Sequence, residues 1–231
     1  MHHRNLLGSL LALGLLFGVG SARADDTPRA GTFALGVERL FGFVHTSESS
    51  DRENVQQTNS NTTVSLLGSG LSRTSVVYSF PRLAFDYFPI DHLSVGGSIA
   101  YFHVSGSQTL EAGGVSQETD QGTTSGFIFA PRAGYAFMFS GMLGLWPRAG
   151  LTYLTASTSG AADVGWSGNR FAFTLEAPLV IAPVPHVAFL VGPTLDLGVT
   201  GSSEVRIGNT TTSVDTTATE FGVQAAISTY F

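Results

Sequence analysis

Between Gly126 and Tyr153 the apolar residues fall on alternate positions in two runs, separated by the short piece Ser140-Gly141-Met142. In the first run Phe127, Phe129, Pro131, Ala133, Tyr135 and Phe137 alternate with Ile128, Ala130, Arg132, Gly134, Ala136 and Met138. In the second, Leu145, Pro147, Ala149, Leu151 and Tyr153 alternate with Trp146, Arg148, Gly150 and Thr152. A period of two is the signature of a strand, whose side chains point to opposite faces in turn. One face is bulky and apolar. The other is mostly small and carries one arginine per run. A water-soluble sandwich would give that second face a rich polar coat. Gly and Ala with a lone Arg suit the crowded interior of a narrow closed barrel instead.

The same alternation recurs over residues 32–45, 74–88, 92–104, 171–183, 187–199 and 218–231. Three connections are very short, at residues 89–91, 140–142 and 184–186. Four are long and polar, at residues 46–73, 105–125, 156–169 and 200–216. Short and long alternate strictly along the chain. This predicts an all-β, closed, antiparallel, up-and-down transmembrane barrel of eight strands, with both chain ends on the short-turn side. A sandwich has no reason to sort its loops in this way. Residues 64–72 form an ambiguous run, and pairing there would raise the count to ten. A spanning helix over residues 177–195, which lack charge, is excluded by Pro178, Pro183, Pro185 and Pro193, because an interior proline costs about 3 kcal/mol.

Parity assigns the faces. With odd positions outward, Phe33, Leu83, Phe85, Ile99, Phe173, Phe189 and Phe221 meet lipid. The same register turns Glu38, Arg82, Asp86, Arg132, Arg148, Glu176, Asp196 and Glu220 inward, where opposite charges can pair. An arginine at the lipid-facing midplane costs roughly 2–4 kcal/mol. Arg39 breaks the rule by falling on the outward face, which predicts a bulge near residues 38–40.

Composition agrees with a lipid-embedded chain. Charged residues make up 12%, about half the ~25% usual in soluble domains. Every basic residue is Arg, the formal net charge is −6, and no basic run appears, which excludes nucleic acid as a partner. With Cys 0, disulfide and thiolate–metal chemistry are excluded. The chain starts Met-His-His-Arg-Asn, continues through an apolar run over residues 6–20, and reaches Ala22-Arg23-Ala24. A basic start, a short apolar run and an A-x-A site predict a signal peptide over residues 1–24, cleaved after Ala24. Residues 25–231 are then one barrel domain. The absence of Cys just after the site argues against a lipoprotein anchor.

With the signal segment, the alternating loop lengths and the last strand TEFGVQAAISTYF, the sequence resembles the small eight-stranded outer-membrane barrels, the superfamily of the OmpA transmembrane domain and OmpX. The resemblance runs from Gly31 to Phe231. It implies residence in the outer membrane of a Gram-negative bacterium and contact with its lipid and lipopolysaccharide. It also implies that Phe231 belongs to the signal read by the barrel-assembly machinery, with periplasmic chaperones upstream. Val223, Ala225, Ile227 and Thr229 follow that signal loosely. As no peptidoglycan-binding domain follows Phe231, the cell-wall tether of OmpA itself is not expected.

Three functions are in view. The first is a structural or surface-interaction barrel whose lumen is plugged by its salt bridges, since eight strands leave room only for side chains. The second is a narrow, porin-like pore for ions or small solutes that uses the inward Arg and carboxylates. The third is a lipid-modifying enzyme at the outer rim, with Ser105, His103 and Glu111 as the residues to converge. No G-x-S-x-G elbow is present, so a non-enzymatic structural or surface-interaction protein is the expectation. His45, His92, His103 and His186 lack metal-ligand spacing, and no cofactor or metal is expected. Tyr101, Phe127, Tyr153 and Phe171 are assigned to the outer aromatic belt. Tyr87, Phe88, Phe137, Phe139, Trp146, Tyr230 and Phe231 are assigned to the inner one. A monomer is expected.

Overall fold

A computed structural model describes residues 28–52, 55–66, 78–112, 115–159 and 164–231. The predicted signal segment lies outside them. The strands, in chain order, are β1 (Phe33–Arg52), β2 (Val55–Leu66), β3 (Arg82–Ile90), β4 (Leu93–Ala112), β5 (Val115–Tyr135) and β6 (Phe137–Met138). They continue with β7 (Leu143–Leu145), β8 (Arg148–Ser159), β9 (Val164–Glu176), β10 (Leu179–Val184), β11 (Val187–Ile207) and β12 (Thr210–Tyr230). Eight of them, β1, β3, β4, β5, β8, β9, β11 and β12, pair antiparallel in a ring that β12 closes onto β1, starting at Ala34↔Tyr230. The segments β6, β7 and β10 extend the β5, β8 and β9 walls toward the short turns, and β2 lies against the upper part of β1.

The wall breaks have a common cause. Pro147 and Pro178 have no N–H to donate, so the ladder cannot run through them. The neighbouring amides bridge the breaks instead: Tyr135 N–H donates to the Pro147 carbonyl (3.0 Å), Trp146 N–H to Pro178 (2.9 Å) and Ala177 N–H to Pro193 (3.1 Å). The tight turns use left-handed backbone at His92 (φ 68°) and His186 (φ 66°), which accounts for a histidine at each turn. His186 also places Nδ1 2.8 Å from the Tyr230 carbonyl, tying a turn to the last strand.

Odd positions face outward as parity predicts: Leu83 and Phe85 are exposed, whereas Arg82 and Asp86 between and beside them are buried. The strands are longer than expected. β4 has 20 residues and β5, β11 and β12 have 21 each, about twice the ~9–11 a tilted spanning strand needs. Most of each predicted polar loop is therefore a continuation of its hairpin. Ser, Thr, Asn and Gln pair as strands once outside the bilayer, because in water neither face has to be apolar. The predicted strand over residues 74–88 begins only at Arg82, and residues 74–77 lie outside the described ones. Of the ambiguous run over residues 64–72, the described part, up to Leu66, belongs to β2, which adds a strand beside β1 without entering the closed ring.

The interior is layered. Toward the short turns, Ala34, Phe88, Ala136, Trp146, Val180, Ala188 and Leu190 form an apolar cluster. Toward the long hairpins, Tyr78, Ala100, Ile128, Leu154, Ala156, Ala172 and Ala218 form another, with Phe80 stacked on Phe102 at 4.0 Å. The charged side chains fill the space between. Phe88 and Trp146, assigned above to the inner aromatic belt, are 0% and 1% exposed. Their even parity turns them into the lumen, so they are core rather than interface anchors.

Candidate functional site

The eight inward charges do come together, and Arg39 joins them. At Arg39 the β1–β12 register shifts between Val37 and Phe41. The residue adopts φ 57° there, which swings an outward-parity side chain into the lumen, where it is 2% exposed. A left-handed conformation costs a non-glycine residue roughly 1 kcal/mol or more, far less than leaving the charge in lipid. Its Nη1 lies 2.8 Å from Asp196 Oδ2 and its Nη2 3.2 Å from Oδ1, a two-pronged clasp, with Glu176 at 3.6 Å and Glu220 at 3.9 Å.

A second arginine centre sits beside it. Arg132 donates from Nη1 to Glu38 Oε2 (2.5 Å), and from Nε and Nη2 to Asp86 (3.1 and 2.6 Å). Arg148 Nη2 reaches Glu176 Oε2 at 2.8 Å, and its guanidinium lies 5.0 Å from the Trp146 ring centre. Among the described residues Arg82 has no carboxylate within ion-pair distance; it donates to the Tyr78 carbonyl (2.6 Å), which also accepts from Arg39 (2.8 Å). Thr174 Oγ1 also donates to Asp196 (2.6 Å), and below the charged layer Trp146 Nε1 donates to Ser94 (3.0 Å).

Residues 78–81 are not wall. They lie in the lumen, pinned by Glu220, which accepts from the Tyr78 N–H (3.1 Å) and from the Ser79 hydroxyl, while Gln224 Nε2 donates to that hydroxyl at 3.1 Å. Sequence reasoning missed this inward dip and the higher Arg170–Glu48 pair; it placed a bulge at residues 38–40, where the register does shift, but did not count Arg39 among the lumen charges. Arg170 carried an inward-parity signal but fell at the edge of what read as loop. Nothing local marks residues 78–81.

Voids among the charged side chains are about 10, 10 and 20 Å³, each enough for about one water. A vestibule of about 500 Å³ opens on the short-turn side, bordered by Ala136, Val180, Ala182, His186 and Tyr230, and it ends at the Trp146 layer. Close approach of strands is built in. Gly150 stands opposite Arg132, and a Cβ there would overlap the Pro131 carbonyl and the Arg132 stem. We expect Gly150→Val to abolish the heat-modifiable folded band on gels, whereas Gly165→Val, with only one distant neighbour, leaves it intact.

At the outer rim, His103 Nδ1 lies 2.8 Å from Ser125 Oγ rather than engaging Ser105, and the Glu111 side chain lies outside those described. Among the described residues no group of three His, Asp or Glu is placed to hold a metal.

No protein-family model matches the sequence, and no match was found among curated proteins. Solved structures do. The outer membrane protein OprG of Pseudomonas aeruginosa aligns with TM-score 0.54 and 13% identity over 88% of this chain and 97% of its own. Neisserial surface protein A aligns with TM-score 0.43 and 13% identity over 87% and 99%. The outer membrane protease OmpT of Escherichia coli aligns with TM-score 0.44 and 8% identity over 90% and 100%. The fold is that of the outer-membrane β-barrels.

Proposed function

We propose that this outer-membrane barrel is a closed structural or surface-interaction protein, with a lumen sealed by its own salt bridges and activity carried by the hairpins beyond the membrane. The observation behind this reading is the filled cross-section. Four guanidiniums and five carboxylates crowd the cross-section, and the voids seen beside them among the described residues are only about 10, 10 and 20 Å³. A hydrated ion needs a continuous wet path, and the apolar clusters above and below this layer remove it. The lipid contacts are those of the exposed odd positions. The assembly machinery reads Phe231, whose backbone exchanges hydrogen bonds with Phe33 (2.9 and 3.1 Å) and thus stands at the closing seam.

The test is planar-bilayer conductance of the refolded chain, with fold checked by heat-modifiable mobility. Folded wild-type protein is expected to give no steady openings. Steady openings that change in Arg132→Ala or Arg148→Ala would overturn the closed reading and make the lumen a pore. For Phe231, we expect its deletion to slow assembly into vesicles by purified assembly machinery while spontaneous refolding in detergent proceeds. Equal slowing of both would mean a purely structural role.

A further inference from the structure

Strand β2 is an edge without the defences that edges carry. It pairs with β1 over 12 uninterrupted positions, from Phe41↔Leu66 to Arg52↔Val55. Its other side has no strand partner among the described residues. Every second residue therefore presents its N–H and C=O outward. Natural edges are blunted by charge, proline, a bulge or shortness. The sequence VQQTNSNTTVSL contains no charged residue, no proline and no glycine, and its pairing contains no bulge. The contrast with β4 is direct. Above Ile99 β4 loses its pairing with β3, but there it holds Gly106, Glu111 and a register shift between Ser105 and Ser107. One edge is disguised, and the other has no strand partner among the described residues.

We propose that β2 docks edge to edge with β2 of a second copy, and that the second copy stands in a facing membrane. This rests on the surface-interaction reading above and names its partner. Two observations select a second copy. An uncharged strand meets its own copy with no like charges opposed, the usual obstacle to self-pairing. An antiparallel pair of identical strands is also self-complementary about a two-fold axis, so one patch serves both sides. The direction of β2 then places the partner. The strand runs from the hairpin tip at Val55 down to Leu66, which lies beside Phe41 in the lipid-facing band. An antiparallel mate runs upward, so its barrel lies beyond the tip. Pairing within one membrane would instead need a two-fold along the membrane normal. Strands tilted about 35–45° from the barrel axis would then lean opposite ways and cross rather than lie alongside.

Residues 56–62 of β2 are exposed, giving about 24 Å of overlap. A two-fold at their centre sets Asn59 opposite itself. The experiment uses the refolded chain in phosphatidylcholine vesicles free of lipopolysaccharide, with clustering followed by light scattering and fold checked by gel mobility. Wild-type vesicles are expected to cluster with one another and not with protein-free vesicles. Asn59→Lys vesicles are expected to lose clustering, and mixing them with Asn59→Asp vesicles is expected to restore it, which a merely misfolded edge cannot do. The inference is overturned if folded wild-type vesicles stay dispersed, bind bare lipid, or keep clustering as Asn59→Lys, or if the Lys and Asp populations fail to rescue each other. A conducting lumen would sink the closed-barrel reading and leave this result unaffected.

Discussion

Replacing Arg132 by methionine is expected to remove about 3–5 kcal/mol of folding stability, the usual cost of breaking a buried ion pair from one side. The physical reason is the number of carboxylates it serves. Glu38 and Asp86 lie 2.5 and 2.6 Å from its guanidinium and Glu176 lies 3.5 Å away, with side chains 3–6% exposed. Methionine fills much of the same volume but leaves those anions with only Arg148, 3.7 Å from Glu38 and 2.8 Å from Glu176, and Arg39, 3.6 Å from Glu176, to offset them. Urea unfolding in detergent micelles, read as loss of the heat-modifiable form, checks this. The triple variant Arg132→Met, Glu38→Gln, Asp86→Asn is expected to recover most of the loss, because the uncompensated charges go with the cation. Should Arg132→Met unfold at the wild-type urea concentration, the layer contributes no stability and its pairing is incidental.

Trp146→Ala is expected to cost about as much, roughly 3–5 kcal/mol, for a different reason. Trp146 is 1% exposed, sits 5.4 Å from Phe88 and 6.4 Å from Tyr230 between ring centres, and donates its indole N–H to Ser94. Its removal leaves a cavity between the charged layer and the vestibule. The surrounding wall, fixed by strand pairing on both sides, cannot collapse to fill it. Trp166 is the control. It is only half-buried, in the part of β9 beyond the membrane, and Trp166→Ala is expected to change stability by less than about 1 kcal/mol. If the two alanine variants unfold together, the lower apolar cluster is not a stability element. Because these are the only tryptophans, the fluorescence of each single-Trp variant also reports whether its site is intact.

Most of the wall was legible from sequence because the information is local. A strand residue's face depends on its neighbours two positions away, so Arg82, Asp86, Arg132, Arg148, Glu176, Asp196 and Glu220 could be sent inward by counting alone. Depth was less legible. Phe88 and Trp146 sit near the short turns as read, but assigning aromatics to a belt by depth ignored their even parity. The polar hairpin extensions misled for a related reason: in water a paired strand and a loop draw on the same Ser, Thr, Asn and Gln.

By itself the sequence determined the alternation, the sorting of short and long connections, and most of the inward charges, since each follows from backbone period and turn chemistry. Only the tertiary structure decided which charge meets which. The outward parity of Arg39 already signals a bulge near residues 38–40, but where that bulge aims the side chain is decided by the pairing of β1 with β12 and by Asp196 on β11, which accepts the guanidinium. Likewise residues 78–81 enter the lumen because Glu220, far along the chain, offers their N–H and hydroxyl groups an acceptor. The unpaired side of β2 exists only once the ring closes through β3 beneath it. Contacts of that span depend on closure of the whole ring, and no window of residues contains them.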